Sequence, residues 1–266
     1  MITYYHPFAD ILTTRFKVRP IRNLLDSGRQ HRLLDIGCGS GFMLSQLENN
    51  FEASYGIDLA RAALNFGQKF TRALLVEANA EKLPFRSASF DCVIATDVFE
   101  HIPKDIIAMK EVQRVLRTKG IILVYVPSLH GLLSHLPTAH LYHNSKTSYM
   151  LDQRYYTRNS LIELVERAGL TVEYVGYHNV FAQEFFTQLL KLTSRILGKR
   201  YEHQANITQF TKSFWFPLYK YFLLPIMTLI IRTEEIIAKN LLGAQVPGHR
   251  IVIKARKAGN KYGINR

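Results

Sequence analysis

The sequence predicts an α/β fold: a mostly parallel seven-stranded sheet with helices on both faces and a helical insertion before the last strand. Three observations lead to this prediction. Short β-branched runs alternate with runs of helical spacing over the first 180 residues. A glycine-rich turn follows the first predicted strand. The last two predicted strands lie about seventy residues apart, too far for a hairpin.

Seven runs have the length, the β-branched composition and the flanking turn residues of strands. They are RLLDIG around Leu34, ASYGID ending at Asp58, ALLVEA around Leu75, DCVIAT around Val93, IILVYV around Leu123, TVEYVGY from Thr171 and HRIVIKAR from His249. The first five should form the centre of the sheet.

Four segments between these strands have helical spacing, as right-handed crossover helices would. They span residues 41–49, 60–70, 103–117 and 157–168. Pro103 is expected in the first turn of the third helix, and Gly120 just beyond its end. Thr157 should cap the fourth helix.

The 266 residues suffice for one large domain with an insertion. We expect a core over residues 1–180, a helical, apolar and basic insertion over 181–247, and the last strand with a basic tail over 248–266. The two cysteines, Cys38 and Cys92, do not indicate a disulfide framework. The N-terminal residues lack the apolar run of a signal peptide, so a cytoplasmic protein is expected.

The charge of the chain is strongly positive and unevenly spread. The formal net charge is +13, and residues 191–266 contain fourteen Lys and Arg against three Glu. Such an excess indicates an anionic partner or surface, or serves solubility alone.

The most informative motif is the segment DIGCGSG, residues 35–41, at the carboxyl end of the first strand. Ligands of open α/β sheets bind at that edge, and glycines let the backbone turn sharply and approach a ligand closely. Asp58 ends the second strand, where a carboxylate can accept hydrogen bonds from both hydroxyls of a ribose. A nucleoside ligand is therefore expected.

A dinucleotide site and a purely structural turn are the two alternatives for this loop. The dinucleotide fingerprint from Gly37 requires Gly or Ala at position 42, and this chain has Phe42. A structural turn alone would leave Asp35 and Asp58 unexplained.

Four quoted stretches resemble one family: LLDIGCGSG, GIDLA, ANAEKLPFRSASFDCVIATDVFEHI and KGIILVYVPS. Together they resemble the class I S-adenosylmethionine (SAM)-dependent methyltransferases, in particular those of ubiquinone and menaquinone biosynthesis. The resemblance covers roughly residues 30–175. It implies a Rossmann-like fold and SAM as the cofactor.

The resemblance also implies which residues contact the cofactor. They are Asp35, Gly37, Cys38, Gly39, Gly41, Asp58, Leu59, Asn79, Ala80, Thr96 and Asp97. The glycine-rich segment would surround the methionyl part, Asp58 would hold the ribose and Leu59 would lie against the adenine. Asn79 replaces the usual Asp, but its amide oxygen can still accept from the adenine amino group. Thr96 and Asp97 would close the site beneath the sulfonium.

His101 is the candidate catalytic residue, because an imidazole can take a proton from the acceptor near neutral pH. The alternative is that Glu100 and His101 only organise the turn into the next helix.

The loop after the fifth strand is rich in histidine and tyrosine. We expect His130, His140, Tyr142 and His143 to line an acceptor pocket with aromatic walls, and a plain structural loop is the alternative. With His135, these histidines are spaced five, five and three residues apart, which matches no standard zinc pattern, so no metal is expected.

Residues 214–231 are almost wholly apolar, a length close to that of a membrane span. Lys220, Pro217 and Pro225 argue against a true span, and the following TEEIIAKNLLG is typical of an amphipathic helix. Two interpretations stay open: a helical cap over the acceptor pocket, or a surface that enters an anionic membrane interface.

The predicted function is methyl transfer from SAM to an O or C atom of a hydrophobic small molecule, a lipid or a lipid-linked substrate, with peripheral association with the inner face of the membrane. RNA methylation through the basic C-terminal surface is one alternative, although no RNA-binding module is visible and nucleic acid is not the expected partner. A non-catalytic SAM-binding partner subunit is the other.

Overall fold

The computed structural model describes residues 12–26, 28, 30–129, 156–178, 214, 216–237, 248 and 250–259. Helices and strands alternate along most of these residues. In chain order they are α1 Leu12–Leu24, β1 Gln30–Ile36, α2 Phe42–Leu47, β2 Phe51–Asp58, α3 Arg61–Gly67, β3 Leu74–Glu77, β4 Phe90–Thr96, α4 Asp105–Val115, β5 Leu116–Pro127, α5 Arg158–Arg167, β6 Leu170–His178, α6 Phe216–Leu218, α7 Leu224–Ile237 and β7 Arg250–Lys257.

The seven strands form one sheet in the order β3-β2-β1-β4-β5-β7-β6. Strands β1 to β5 run parallel to one another, and β7 runs antiparallel between β5 and β6. The predicted seven-stranded, mostly parallel sheet is thus confirmed. The strand order reverses between β1 and β4, and the carboxyl ends of strands at such a reversal form the usual ligand crevice.

The sheet has an apolar core on each face, because successive residues of a strand point to opposite sides. Leu34 packs into a cluster with residues of α4 and α5 such as Val112 and Val165. Its neighbour Leu33 packs into a second cluster with Val18 of α1 and Leu44 of α2. Helices therefore cover both faces, as expected.

The predicted third helix is shorter in the structure at both ends. Helix α4 begins at Asp105 rather than at Pro103, and it ends at Val115 because Leu116 already pairs with Phe90 of β4. Gly120 consequently lies inside β5 and not beyond a helix. The predicted cap is confirmed: Thr157 Oγ1 accepts from the backbone N–H of Ser160 at 3.1 Å.

Helix α1 was not predicted. It contains Pro20, which argues against a helix in sequence-based reasoning. Val18 and Ile21, three residues apart, are both buried against the sheet, so packing of this one face stabilises the helix.

Helices α6 and α7 are joined by a π-helical turn, Tyr219–Leu223, and we call residues 216–237 the apolar helix. The wide turn lies directly before Pro225, which has no N–H to donate to the carbonyl four residues back. Leu224 instead donates to the carbonyl of Tyr219, five residues back. Part of the predicted TEEIIAKNLLG helix is present as the end of α7, and residues 238–243 lie outside the described residues.

Leu224 and Ile231 of the apolar helix are buried, and α7 packs against α1. In the described part of the chain, no helix is both long enough and apolar enough to cross a membrane.

Candidate functional site

A cavity of about 480 Å³ lies at the carboxyl ends of β1 to β4, at the reversal of strand order. Seven of the predicted site residues line it: Gly37, Asp58, Leu59, Asn79, Ala80, Asp97 and His101. The cavity therefore joins six of the predicted cofactor residues and the candidate base in one site. The other predicted cofactor residues do not line it: Asp35, Cys38, Gly39, Gly41 and Thr96.

The glycine loop needs its glycines for conformation. Gly37, Gly39 and Gly41 have φ angles of 68°, 51° and 70°, in the left-handed region that other residues rarely adopt. A Cβ on Gly37 would also lie 2.4 Å from Cγ2 of Val98. The loop is fixed to β2 by the N–H of Cys38, which donates to the carbonyl of Ile57 at 2.9 Å.

Asp58 both organises the loop and faces the cavity. Its Oδ2 accepts from the N–H of Gly39 and its Oδ1 from the N–H of Ala60, both at 2.8 Å. Each carboxylate oxygen has a second lone pair, so both can still accept from the hydroxyls of a ribose.

Asp35 lies beneath the loop with an exposed fraction of 1%. Its Oδ1 has no hydrogen-bond partner among the residues that the structure describes. Burial, followed by the charge of Asp58, raises the pKa of Asp35 well above its ordinary value. A buried acceptor of this kind fits a donor on a bound cofactor, such as the methionyl ammonium group.

The adenine side of the predicted site is also formed. Leu59 is 69% exposed although it is apolar, so a flat ring could cover it, and Ala80 is buried beside it in the cavity wall. The Oδ1 of Asn79 accepts from the N–H of Glu81 at 2.8 Å, which stabilises the turn. Its second lone pair could still accept from an amino group.

Asp97 is held by two cations that sequence reasoning did not find. Lys17 of α1 pairs with its Oδ2 and Arg250 of β7 with its Oδ1. The N–H of Asp97 donates to the carbonyl of Tyr125 at 2.8 Å, and its φ is 52°. No local sequence pattern signals these pairs, because the partners lie far away along the chain. Thr96 pairs with Tyr125 in the sheet and does not line the cavity.

Glu100 is a buried acid behind the cavity, with an exposed fraction of 1%. Within the described part of the chain, its Oε2 has no hydrogen-bond partner. Burial and, next, the charge of Asp97 raise the pKa of Glu100 to about 8. The side chain is therefore protonated at neutral pH.

His101 lies in a short 3₁₀ turn, Phe99–His101, with its half-buried ring in the cavity wall. Burial lowers the pKa of His101, and the charge of Asp97 opposes this effect. A neutral imidazole in this position can accept a proton. The turn geometry is equally compatible with the structural alternative.

The predicted acceptor residues His130, His140, Tyr142 and His143, with His135, lie outside the described residues. The described residues on either side of this range contact each other, because the N–H of Leu129 donates to the carbonyl of Tyr156 at 2.9 Å. The Tyr156 hydroxyl donates to Oδ2 of Asp105 at 2.9 Å and contacts the carbonyl of Phe99 at 3.3 Å. Tyr156 thus lies beside the turn that carries His101.

Among the described residues, no cluster of His, Cys, Asp or Glu is large enough to hold a metal ion. Cys38 and Cys92 are buried free thiols, and burial raises the pKa of both.

Comparison with known proteins identifies a domain at this site. The sequence profile described as "Methyltransferase domain" matches residues 34–124, which run from β1 into β5. This part of the chain is therefore a methyltransferase domain. The expected family, fold and cofactor are thereby confirmed.

The curated relatives of this chain have names from different pathways. Over 104 residues the chain is 33% identical to the ubiquinone/menaquinone biosynthesis C-methyltransferase of Rhizobium rhizogenes, covering 35% of this chain and 40% of that protein. Over 112 residues it is 31% identical to a sterol 4-C-methyltransferase of Caenorhabditis elegans, covering 40% and 34%. The chain spans between 32% and 53% of the length of the curated relatives that it matches.

A SAM-dependent methyltransferase from Thermotoga maritima has the same fold. The TM-score is 0.58 at 16% identity, with 94% of this chain and 92% of that chain covered. The expected resemblance to quinone-biosynthesis methyltransferases is confirmed by the matched sequence relatives.

Proposed function

We propose that this protein transfers the methyl group of SAM to an O or C atom of a hydrophobic acceptor: a small molecule, a lipid or a lipid-linked compound. The proposal depends on one observation. The cavity that Asp58 and the glycine loop border also contains His101, so a cofactor site and a proton acceptor share one space.

When bound, SAM supplies an activated methyl group, and the residues of this chain bind, orient and accept a proton. Asp58 and the glycine loop hold the ribose and methionyl parts, and Leu59 and Ala80 enclose the adenine. Correct positioning of the acceptor contributes about 7–11 kcal/mol to such a transfer. His101 takes the proton that the acceptor loses when a hydroxyl or an activated carbon is methylated.

A hydrophobic acceptor is supported by two kinds of observation. Two relatives are named for quinone biosynthesis and for sterol methylation. The apolar helix also exposes large side chains, including Phe222 and Leu229 at 64% each. We assign the acceptor side of the site to His130, His140, Tyr142 and His143, and we place the enzyme at the inner face of a membrane.

The first test is calorimetric titration with SAM, S-adenosylhomocysteine and NAD. Binding of the first two and not of NAD is expected, and binding of NAD alone would refute the proposal. Radiolabelled SAM is then incubated with quinone precursors, lipid extracts and RNA. Label in the organic phase supports the proposal, label in RNA supports the alternative, and SAM binding without any label supports a non-catalytic partner subunit.

A further inference from the structure

The apolar helix carries large apolar residues both on its buried side and on sides in contact with solvent. Leu224 and Ile231, seven residues apart, are each 1% exposed. Phe222 at 64%, Ile226 at 56% and Leu229 at 64% are exposed. The charged residues of the helix are Lys220, Arg232, Glu234 and Glu235. Apolar residues beyond the buried side of a helix are typical of a helix with a second apolar contact.

We define the exposed apolar face by the following residues of this helix: Leu218, Phe222, Ile226, Leu229, Ile230 and Ile236. Their spacing of mostly three and four residues places them along one side. At 1.5 Å per residue the face is about 27 Å long. Single exposed apolar residues are common on protein surfaces, but a continuous row of this length indicates an interaction surface.

Positive charge flanks this face. Helix α1, which packs against α7, contains no acidic residue, and its Lys17 already pairs with Asp97. Arg19 and Arg22 are exposed. In the sequence, residues 191–213 directly before the apolar helix contain five Lys and Arg against one Glu. An anionic partner therefore complements the surroundings of the face.

We propose that the exposed apolar face, flanked by α1, docks this protein on an anionic lipid bilayer with the apolar helix lying in the plane of the interface. Such helices insert apolar side chains among the lipids while Lys and Arg contact anionic headgroups. A second copy of the chain fits the surface less well. A twofold interface would bring the positive charges of one α1 close to those of the other.

This docking surface is connected to the cavity. Lys17 of α1 pairs with Asp97 in the cavity wall, while α1 also packs against α7. One helix thus contacts both the docking helix and the active site. The role of docking rests on the proposed function, in which the methyl acceptor is hydrophobic. Docking would present such an acceptor, dissolved in the membrane, to the Asp97 side of the cavity.

The test is co-sedimentation of the full chain with two kinds of vesicle, phosphatidylcholine alone and phosphatidylcholine mixed with phosphatidylglycerol. We expect binding to the mixed vesicles at low salt and weaker binding at high salt or without phosphatidylglycerol. The double variant Ile226→Glu/Leu229→Glu should bind the mixed vesicles at least about tenfold more weakly, because it places charge in the apolar interface.

The matched control is Leu74→Glu. Leu74 is also apolar and 58% exposed, but it lies on the edge strand β3, whereas α1 beside the apolar helix contacts β5 and β7. This variant should therefore bind vesicles like the wild type. SAM affinity is measured for every variant. An unchanged SAM affinity shows that a variant is folded. The measurement also distinguishes the two proposals, because a wild type that does not bind SAM would contradict the proposed function and not the docking surface.

Three outcomes would overturn the docking proposal. The wild type does not bind the mixed vesicles, the double variant binds them as the wild type does, or Leu74→Glu loses binding equally. Sedimentation velocity without lipid adds a fourth: if the wild type is a dimer that the double variant dissociates, the face is an interface between two copies.

Discussion

The carboxylate of Asp58 accepts a hydrogen bond from the backbone N–H of Gly39 at 2.8 Å. This bond links the end of β2 to the glycine loop after β1. The residue predicted to hold the ribose therefore also holds the loop that would surround the methionyl part. Both halves of the cofactor site should respond to a change at this one carboxylate.

Asp58→Ala should weaken SAM binding by about ten- to a hundredfold, the equivalent of a charged hydrogen bond worth about 1.5–3 kcal/mol. Asp58→Asn should lose less, because the amide oxygen can still accept one of these bonds. Calorimetric titration with SAM measures both. Glu77→Ala is the control, since Glu77 pairs with Asp58 in register on β3 but interacts with Arg61 outside the cavity. Equal affinities of Asp58→Ala and the wild type would contradict the ribose assignment.

Gly37→Ala should destabilise the protein by about 2–4 kcal/mol and impair SAM binding. The reasons are its φ of 68° and the 2.4 Å approach of a new Cβ to Val98. Gly28→Ala is the control, because Gly28 has a φ of 94° but no atom within 4 Å of a Cβ. It should cost only the conformational strain of about 1–2 kcal/mol and leave SAM affinity unchanged. Chemical unfolding and titration distinguish the two variants. Similar losses in both would show that the contact with Val98 is irrelevant.

His101→Gln should slow methyl transfer by about a hundredfold or more while SAM affinity stays within about twofold. The wild-type rate should fall at acid pH as His101 becomes protonated. Because burial lowers the pKa of His101, this limb should lie below the ordinary pKa of 6.5. The limb should be absent from the variant. Parallel loss of SAM binding and rate would instead favour the structural role of the turn.

Glu100→Gln should stabilise the protein at alkaline pH. The pKa of Glu100 is about 8 in the folded protein against an ordinary value of 4.5, so between these values the unfolded chain releases a proton that the native state keeps. Wild-type stability therefore falls as pH rises through this window, and a glutamine avoids the loss. We expect an advantage of about 1–3 kcal/mol at pH 8 that shrinks towards pH 5, measured by urea unfolding. A pH-independent difference would show that Glu100 is not buried as a neutral acid.

Local patterns were sufficient to predict the strands, the glycine loop and the position of Asp58. Each of these depends on residues close together in the sequence, and parallel strands bring their carboxyl ends to one edge. Burial of Glu100 and the partners of Asp97 could not be predicted in this way. Lys17 and Arg250 reach Asp97 only because α1 packs on the sheet and β7 enters it, which are tertiary events without a local signature.

Helices were less predictable than strands for a related reason. Helix α1 contains Pro20 and depends on the burial of Val18 and Ile21, so its local signal is weak. The ends of α4 are set by strand pairing, since Leu116 joins β5 where helical spacing alone would continue. The apolar composition of residues 214–231 predicted a helical cap or a membrane-facing surface. It did not predict which side of the helix is exposed to solvent.

The position of β7 between β5 and β6 has a consequence for biosynthesis. A nascent chain that has emerged from the ribosome only as far as His178 has no partner strand for β6 and no Arg250 to hold Asp97. The cavity wall at the ends of β1, β2 and β3 can assemble early, whereas Asp97 gains its partner Arg250 only when β7 has joined the sheet. Truncation before Arg250 should therefore yield a chain that has the glycine loop but holds Asp97 through Lys17 alone.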